Sequence, residues 1–355
     1  VLGESFDYPV PPPHPVSTEL LLGAYWWPHW GDKSAGASPR LTWRESAFHP
    51  LLGEYDANDP YAVDWQIKWA VEHGIGFFVV SFYENRLSGL VKSEYLGFIK
   101  YALNIDLSEI GGFRDPRNLP ETLAYLHAHH FDNPSYLKLE GRPVLFIGDA
   151  NLLLGKLGID ELKLAFENGR QSYKAMCGVE PYFIGVWNPG GFKSSACIPT
   201  LTDLALASSL DAVTIYNMPS IGGISRTSGT KTTLVAPYDN LVSSYPEATE
   251  RQMRAFNEAG VRFIPNALPS FNNTLLFKHG LDNWLVERTG ATPEKFKSLL
   301  ESMKGYVDPE LKTLMVEAWN EFSEGSVIEP TEEFGFRYLD VILQVFTSAP
   351  HEHID

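Results

Sequence analysis

Eight times along this 355-residue chain, a short run rich in Val, Ile, Phe and Tyr gives way to a loop and then to helical or compact material. The runs cover residues 20–26, 76–82, 98–105, 143–148, 182–187, 212–216, 262–266 and 314–319. They alternate little between polar and apolar residues, as parallel strands covered on both faces do. Helical patterns fall at 60–73, 119–130, 160–176, 246–259, 293–304 and 332–346. The first has Asp59 as N-cap, Pro60 at the opening helical position and Gly74 just past its end. Strands alternating with helices build a parallel sheet. Eight such units predict an α/β chain folded as a single-domain (β/α)8 TIM barrel over residues 19–350. Long connections at 27–60 and 217–245 make the loops elaborate. A doubly wound open sheet is the competing architecture, but no GxGxxG follows the first strand and there is no P-loop.

Charge narrows the partners. Lys and Arg number 28 against 44 Asp and Glu, a net charge of −16. That field repels phosphate backbones, so nucleic acid is not an expected partner. No apolar run reaches the length of a membrane span. Residues 1–18 carry five prolines and read as an extended N-terminal arm. The first residue is Val, which fits a secreted or periplasmic protein trimmed of its signal and equally a cytoplasmic protein cut shorter. Cys177 and Cys197 fit either one disulfide or two thiols, and they give no zinc spacing. No cofactor or metal is expected, and oligomeric state is not legible.

A barrel of this kind keeps its site at the C-terminal ends of the strands, which turns the strand assignment into a list of candidates. Strand one ends in Tyr25, Trp26, Trp27 and His29, and strand two in Tyr83 and Glu84. Strand three gives Asn104 and Asp106, strand five Trp187 and Asn188, and strand six Tyr216 and Asn217. Strand eight ends in Trp319, Asn320, Glu321 and Glu324. Aromatic faces cover the C–H faces of a sugar ring, while amides and carboxylates bond its hydroxyls. An oligosaccharide or polysaccharide is therefore the expected ligand.

The segment Trp319-Asn-Glu-Phe-Ser-Glu-Gly325 is the sharpest of these. Two carboxylates three residues apart sit where an apolar run ends, beside a glycine able to turn tightly. Glycoside hydrolysis needs such a pair, one acting as acid and the other as base or nucleophile. Like charges set close together raise one pKa and keep a proton available near neutral pH. Glu317, inside the run, would be buried if it faced inward and would need a partner there or a role in the site.

These residues carry a family likeness. The stretch from Trp319 to Pro330, with Phe334-Gly335 and Tyr338-Leu339 after it, resembles the C-terminal motif of glycoside hydrolase family 99 and the related WbsX-like proteins. Gly23-Ala-Tyr-Trp-Trp27, the stretch from Pro50 to Asp56 and the stretch from Asp64 to Ile75 resemble the opening βα unit of that group. The resemblance implies a (β/α)8 barrel without cofactor and retaining cleavage of an α-linked, mannan-like glycan. It further implies that Glu321 deprotonates the sugar's own 2-hydroxyl, which attacks the anomeric carbon, and that Glu324 serves as general acid and base. Where family 99 commonly has Trp-His between the two carboxylates, this chain has Phe322-Ser323. A WbsX-type glycosyltransferase and a non-catalytic glycan-binding barrel are the alternatives.

Overall fold

The computed structural model describes residues 9–31, 45–82, 87–107, 114–149, 154–187 and 198–348. Eight parallel strands form its centre: β1 Leu21–Trp26, β2 Ile75–Ser81, β3 Lys100–Asp106, β4 Arg142–Gly148, β5 Tyr182–Trp187, β6 Ala212–Ile215, β7 Arg262–Ile264 and β8 Thr313–Val316. Each is followed by a helix: α1 Pro60–Glu72, α2 Ser88–Lys92, α3 Leu119–Leu126, α4 Ile159–Cys177, α5 Leu201–Ala207, α6 Tyr238–Glu258, α7 Pro293–Met303 and α8 Arg337–Phe346. Neighbouring strands pair in chain order, and β1 also pairs with β8. The ring is completed through β7, which breaks at Pro265, a residue with no N–H to give. Arg262–Ile264 pairs with β6, whereas Asn266–Ala267, just beyond the break, pairs with β8. The Pro265 carbonyl accepts from the Met315 N–H at 2.9 Å. The (β/α)8 barrel expected from the alternation is thus the observed fold.

Period-two alternation along each strand divides the core into two layers. Tyr25, Phe77, Val79, Phe146, Ile184 and Met315 fill the barrel interior. Trp26, Phe78, Val80, Leu103 and Trp187 point the other way, into the layer between sheet and helices. Gly23 belongs to the inner side, where a Cβ would lie 2.2 Å from the Phe77 ring. Gly23→Ala is therefore expected to cost about 1–3 kcal/mol by overpacking. Gly97→Ala, where nothing lies within 4 Å, is expected to leave the urea midpoint in place.

Two helix limits differ from the sequence pattern. α6 starts at Tyr238 rather than at residue 246 and carries Pro246 inside it. Tyr238, Leu241 and Tyr245 are all fully buried, and that packing outweighs the backbone bond lost at the proline. α8 starts at Arg337 rather than 332, because Gly335 turns at φ 55° and its N–H closes onto the Thr331 carbonyl at 2.7 Å. α2 and α5 were not anticipated; they are five and seven residues long, too short for a periodic signal.

The long loops after β6 and β7 make a sheet of their own. Arg226–Ser228 and Lys231–Pro237 form an antiparallel pair, and Trp284–Thr289 adds in parallel to the second. The buried Arg288 guanidinium fastens this sheet to the loop after β6, donating through Nε to the Pro219 carbonyl at 2.7 Å and through Nη2 to that of Ile221. Of the N-terminal arm, residues 9–18 lie along α1, with Val16 N–H to Val71 O at 3.0 Å and His14 N–H to Glu72 Oε1 at 2.9 Å. Among the described residues no helix is long and apolar enough to cross a membrane.

Candidate active site

Past β8 the chain makes a compact hairpin. Asn320–Glu321 pairs antiparallel with Ser326–Val327, and a single 3-10 turn, Phe322–Glu324, connects them. Gly325 closes the turn at φ 60°, a left-handed conformation that costs glycine little. One turn thus carries both Glu321 and Glu324, as their spacing suggested. It is held by three hydrogen bonds. The Asn272 N–H donates to the Glu324 carbonyl at 2.6 Å, the Ser270 hydroxyl to the Gly325 carbonyl, and the Ser46 hydroxyl to the Phe322 carbonyl at 2.9 Å. These partners come from the loops after β7 and β1.

Glu321 and Glu324 are partly exposed, whereas Glu317, at the end of β8, is fully buried. All three carboxyls are displaced toward their neutral forms. Removal from water pushes Glu321 up to about 7, with a hydrogen bond from Tyr216 working the other way. Glu324 is held well above the usual carboxylate range, by burial first and then by the charges of Glu321, Glu317 and Asp282. Glu317 is raised strongly too, by burial and then by Glu321. Tyr216 lies among all three, held toward its neutral form by burial and then by the charges of Glu321, Glu317 and Glu324, with its ring 4.9 Å edge-on from Tyr25. Two carboxyls so close, one near neutrality and one above it, supply a base and an acid in the same pH range.

The remaining sequence candidates divide by the face they occupy. Tyr25 points into the barrel beside Phe146 and Tyr216. Asn217 is buried near Glu317 and acts to lower the pKa of that carboxyl. Trp27 is half-buried and stacks at a tilt on His29, 4.8 Å away. Asn104 and Asp106 are half-buried on β3, where Asn104 sits against Gly148. Trp26, Trp187 and Trp319 are a correction to the expected ligand contacts. They face the helix layer, fully buried against Phe78, Phe256 and Phe78 respectively, at centroid separations of 6.3, 5.7 and 5.2 Å. Position at a strand end does not fix the side a residue faces, and one step along the strand reverses it. Asn320 is a second correction. Fully buried, it accepts from the Trp27 N–H at 2.7 Å and donates to the Trp27 carbonyl and the Tyr55 hydroxyl, each at 3.1 Å. Its amide clamps the loop after β1 onto the hairpin and leaves no donor for a sugar. Tyr83, Glu84, Asn188 and Cys197 lie outside the described residues.

Below the hairpin runs a buried polar chain. The Trp26 indole N–H donates to Gln66 at 3.0 Å, and Gln66 donates to Glu329 at 3.2 Å. The Tyr55 hydroxyl donates to the other Glu329 oxygen at 2.7 Å. Glu329, pushed up to about 8 by burial, joins α1 to the motif. Sequence reasoning missed Asp282, which accepts from the Asn273 amide at 2.9 Å, is itself raised by burial, and acts electrostatically on Glu324. It lies deep in the connection after β7, where no strand end points to it. Among the described residues no group of three or more His, Cys, Asp or Glu side chains is arranged to hold a metal ion.

Comparison with known proteins places this geometry. A family model described as Glycosyltransferase WbsX matches residues 116–342. Among solved structures, a "Glycoside hydrolase-like protein" is similar at a TM-score of 0.65 and 18% identity, over 97% of this chain and 98% of that one. The GH99 endo-alpha-mannosidase from Bacteroides thetaiotaomicron, in complex with Bis-Tris propane, is similar at a TM-score of 0.63 and 17% identity, over 91% of this chain and 95% of that one. These likenesses establish a shared barrel. No curated protein matches the chain.

Proposed function

The chain belongs to the family described as Glycosyltransferase WbsX, and from that premise we propose that it is a retaining glycoside hydrolase acting on an α-linked, mannan-like glycan. The observation that carries this reading is the turn that sets Glu321, near neutrality, beside Glu324, which keeps its proton to higher pH. Glu321 takes the proton of the substrate's 2-hydroxyl, and that oxygen forms a bond to the anomeric carbon. The glycosidic bond breaks as Glu324 gives its proton to the leaving oxygen. Glu324, now a carboxylate, then takes a proton from water, whose oxygen bonds to the anomeric carbon. The three-membered ring opens, and Glu321 returns its proton to the 2-oxygen. Two inversions at one carbon give net retention. Tyr25, Trp27, His29 and Tyr216 surround this chemistry as the sugar-facing groups.

Electrostatics favour hydrolysis over transfer from a nucleotide sugar. The groups acting on Glu324 are three other carboxyls with no cation among them to bind a diphosphate. The GH99 endo-mannosidase likeness supports an α-mannan as the first substrate to try. Such a polymer is met outside the cytoplasm, in keeping with a secreted or periplasmic place of action.

A panel of α-linked polysaccharides, followed by proton NMR, tests the proposal. The expected result is a new reducing end whose first-formed anomer is the α form, with no requirement for a nucleotide sugar. A substrate lacking the 2-hydroxyl at the cleaved residue is expected to bind without being cut. An inverted first anomer would remove 2-hydroxyl participation. A product seen only with nucleotide-sugar donors would replace the hydrolase by a transferase.

A further inference from the structure

Glu321 sits at a sharp bend. Its backbone angles, φ −81° and ψ 67°, are those at the centre of an inverse γ-turn, where the strand Asn320–Glu321 gives way to the 3-10 turn. A bend made by the two soft dihedrals of one residue keeps its direction only if the residues on both sides are held. The direction of the bend in turn sets where the Glu321 side chain reaches.

Both flanks meet the same side chain, Trp30 in the loop after β1. Its indole N–H donates at 2.8 Å to the Asn320 carbonyl, the peptide oxygen immediately before Glu321. Its ring lies edge-on to Phe322, the residue immediately after Glu321, with centroids 5.6 Å apart and planes at 81°. Trp30 is anchored in turn, its carbonyl accepting from the Ala57 N–H at 2.9 Å. It is only 1% exposed, which leaves no face for a sugar. The far end of the turn is held from another loop, by Ser270 and Asn272 on the Gly325 and Glu324 carbonyls. Trp30 therefore bears on Glu321 rather than on Glu324.

We propose that Trp30 is a positioning residue for Glu321: by holding the carbonyl before it and the side chain after it, the indole fixes the bend from which that carboxylate reaches the substrate. This rests on Glu321 being the base of the proposed hydrolase, but its physical core is testable without any substrate. In protein labelled with 13C at glutamate carboxyls, the signals lost in Glu321→Gln and Glu324→Gln identify the two groups. Trp30→Phe keeps a ring and loses the N–H, and it is expected to move the Glu321 signal further than that of Glu324. A Glu321 signal left in place, or moved no further than that of Glu324, would overturn the proposal whether or not the protein cuts any glycan. If wild type releases no sugar from any polymer, the hydrolase reading fails and the NMR result still decides this one.

With an active protein, kinetics add a second readout. Trp30→Phe is expected to lower kcat about tenfold with little change in KM, because Trp30 touches no substrate and the base is no longer aimed. In the Glu321→Gln background the same change is expected to cost less than twofold, since there is no base left to aim. An equal loss in both backgrounds would show that Trp30 acts elsewhere, against the proposal. Wild-type kcat in a folded Trp30→Phe variant would do the same. Should Trp30→Phe fail to fold, replacing Trp30 by its benzothiophene analogue keeps the ring system and exchanges only the N–H for sulfur. The same shifts and losses are expected of it, and the same results would overturn the proposal.

Discussion

Glu324→Gln is expected to lower kcat/KM on an α-linked polysaccharide by about a thousandfold, the scale of losing a positioned acid–base group. The amide keeps the shape of the side chain and cannot give up a proton. The deficit is expected to shrink sharply on a glycoside whose leaving group is a weak base such as fluoride, since that oxygen-free departure needs no proton. Added azide is expected to restore turnover by attacking the anomeric carbon in place of activated water. Glu321→Gln behaves differently: its loss is expected to be of similar size on both substrate types, because 2-hydroxyl deprotonation is required whatever leaves. Equal behaviour of the two variants across leaving groups would undo the division of roles. The acidic limb of kcat/KM is expected near pH 7, where Glu321 must shed its proton to act. Activity falls below that value as the base protonates.

The second large effect is on stability and comes from Glu329. In the folded chain this carboxyl keeps its proton up to about pH 8, against an ordinary value of 4.5. Its contribution to stability is therefore complete below about pH 4.5 and is lost progressively as the pH rises through about 8. A shift of that size corresponds to something on the order of 5 kcal/mol across the window. Glu329→Gln copies the neutral acid toward Tyr55 and Gln66. It is expected to match wild type in urea unfolding at pH 5 and to exceed it by about 3–4 kcal/mol at pH 8. Glu329→Leu leaves the Tyr55 and Gln66 donors buried without an acceptor and is expected to destabilise at both pH values. A wild-type stability that rises from pH 5 to pH 8, with no gain in Glu329→Gln, would contradict this assignment.

Much of this molecule is legible in its sequence, for identifiable reasons. Buried parallel strands leave continuous apolar runs, so all eight were located to within a few residues, and the Glu321/Glu324 spacing encodes one turn. What sequence could not supply was direction. Tyr25 and Trp26 are neighbours of similar character, yet one faces the barrel and the other the helices. Asn320 has the chemistry of a sugar ligand, but its amide is spent on Trp27 and Tyr55, contacts from remote parts of the chain. Pro246 looked like a helix start because local rules put proline there, and only the burial of Tyr238 and Leu241 shows that the helix had already begun. Asp282 reaches Glu324 through a fold-back that leaves no periodic trace.

The small sheet formed by Lys231–Pro237 and Trp284–Thr289 splices the connections after β6 and β7 through six residue pairs. One connection carries Tyr216 and Asn217; the other carries Asn272 and Asp282. The two sides of the carboxyl cluster therefore travel as a single wall, and shortening either connection would strip backbone partners from the other.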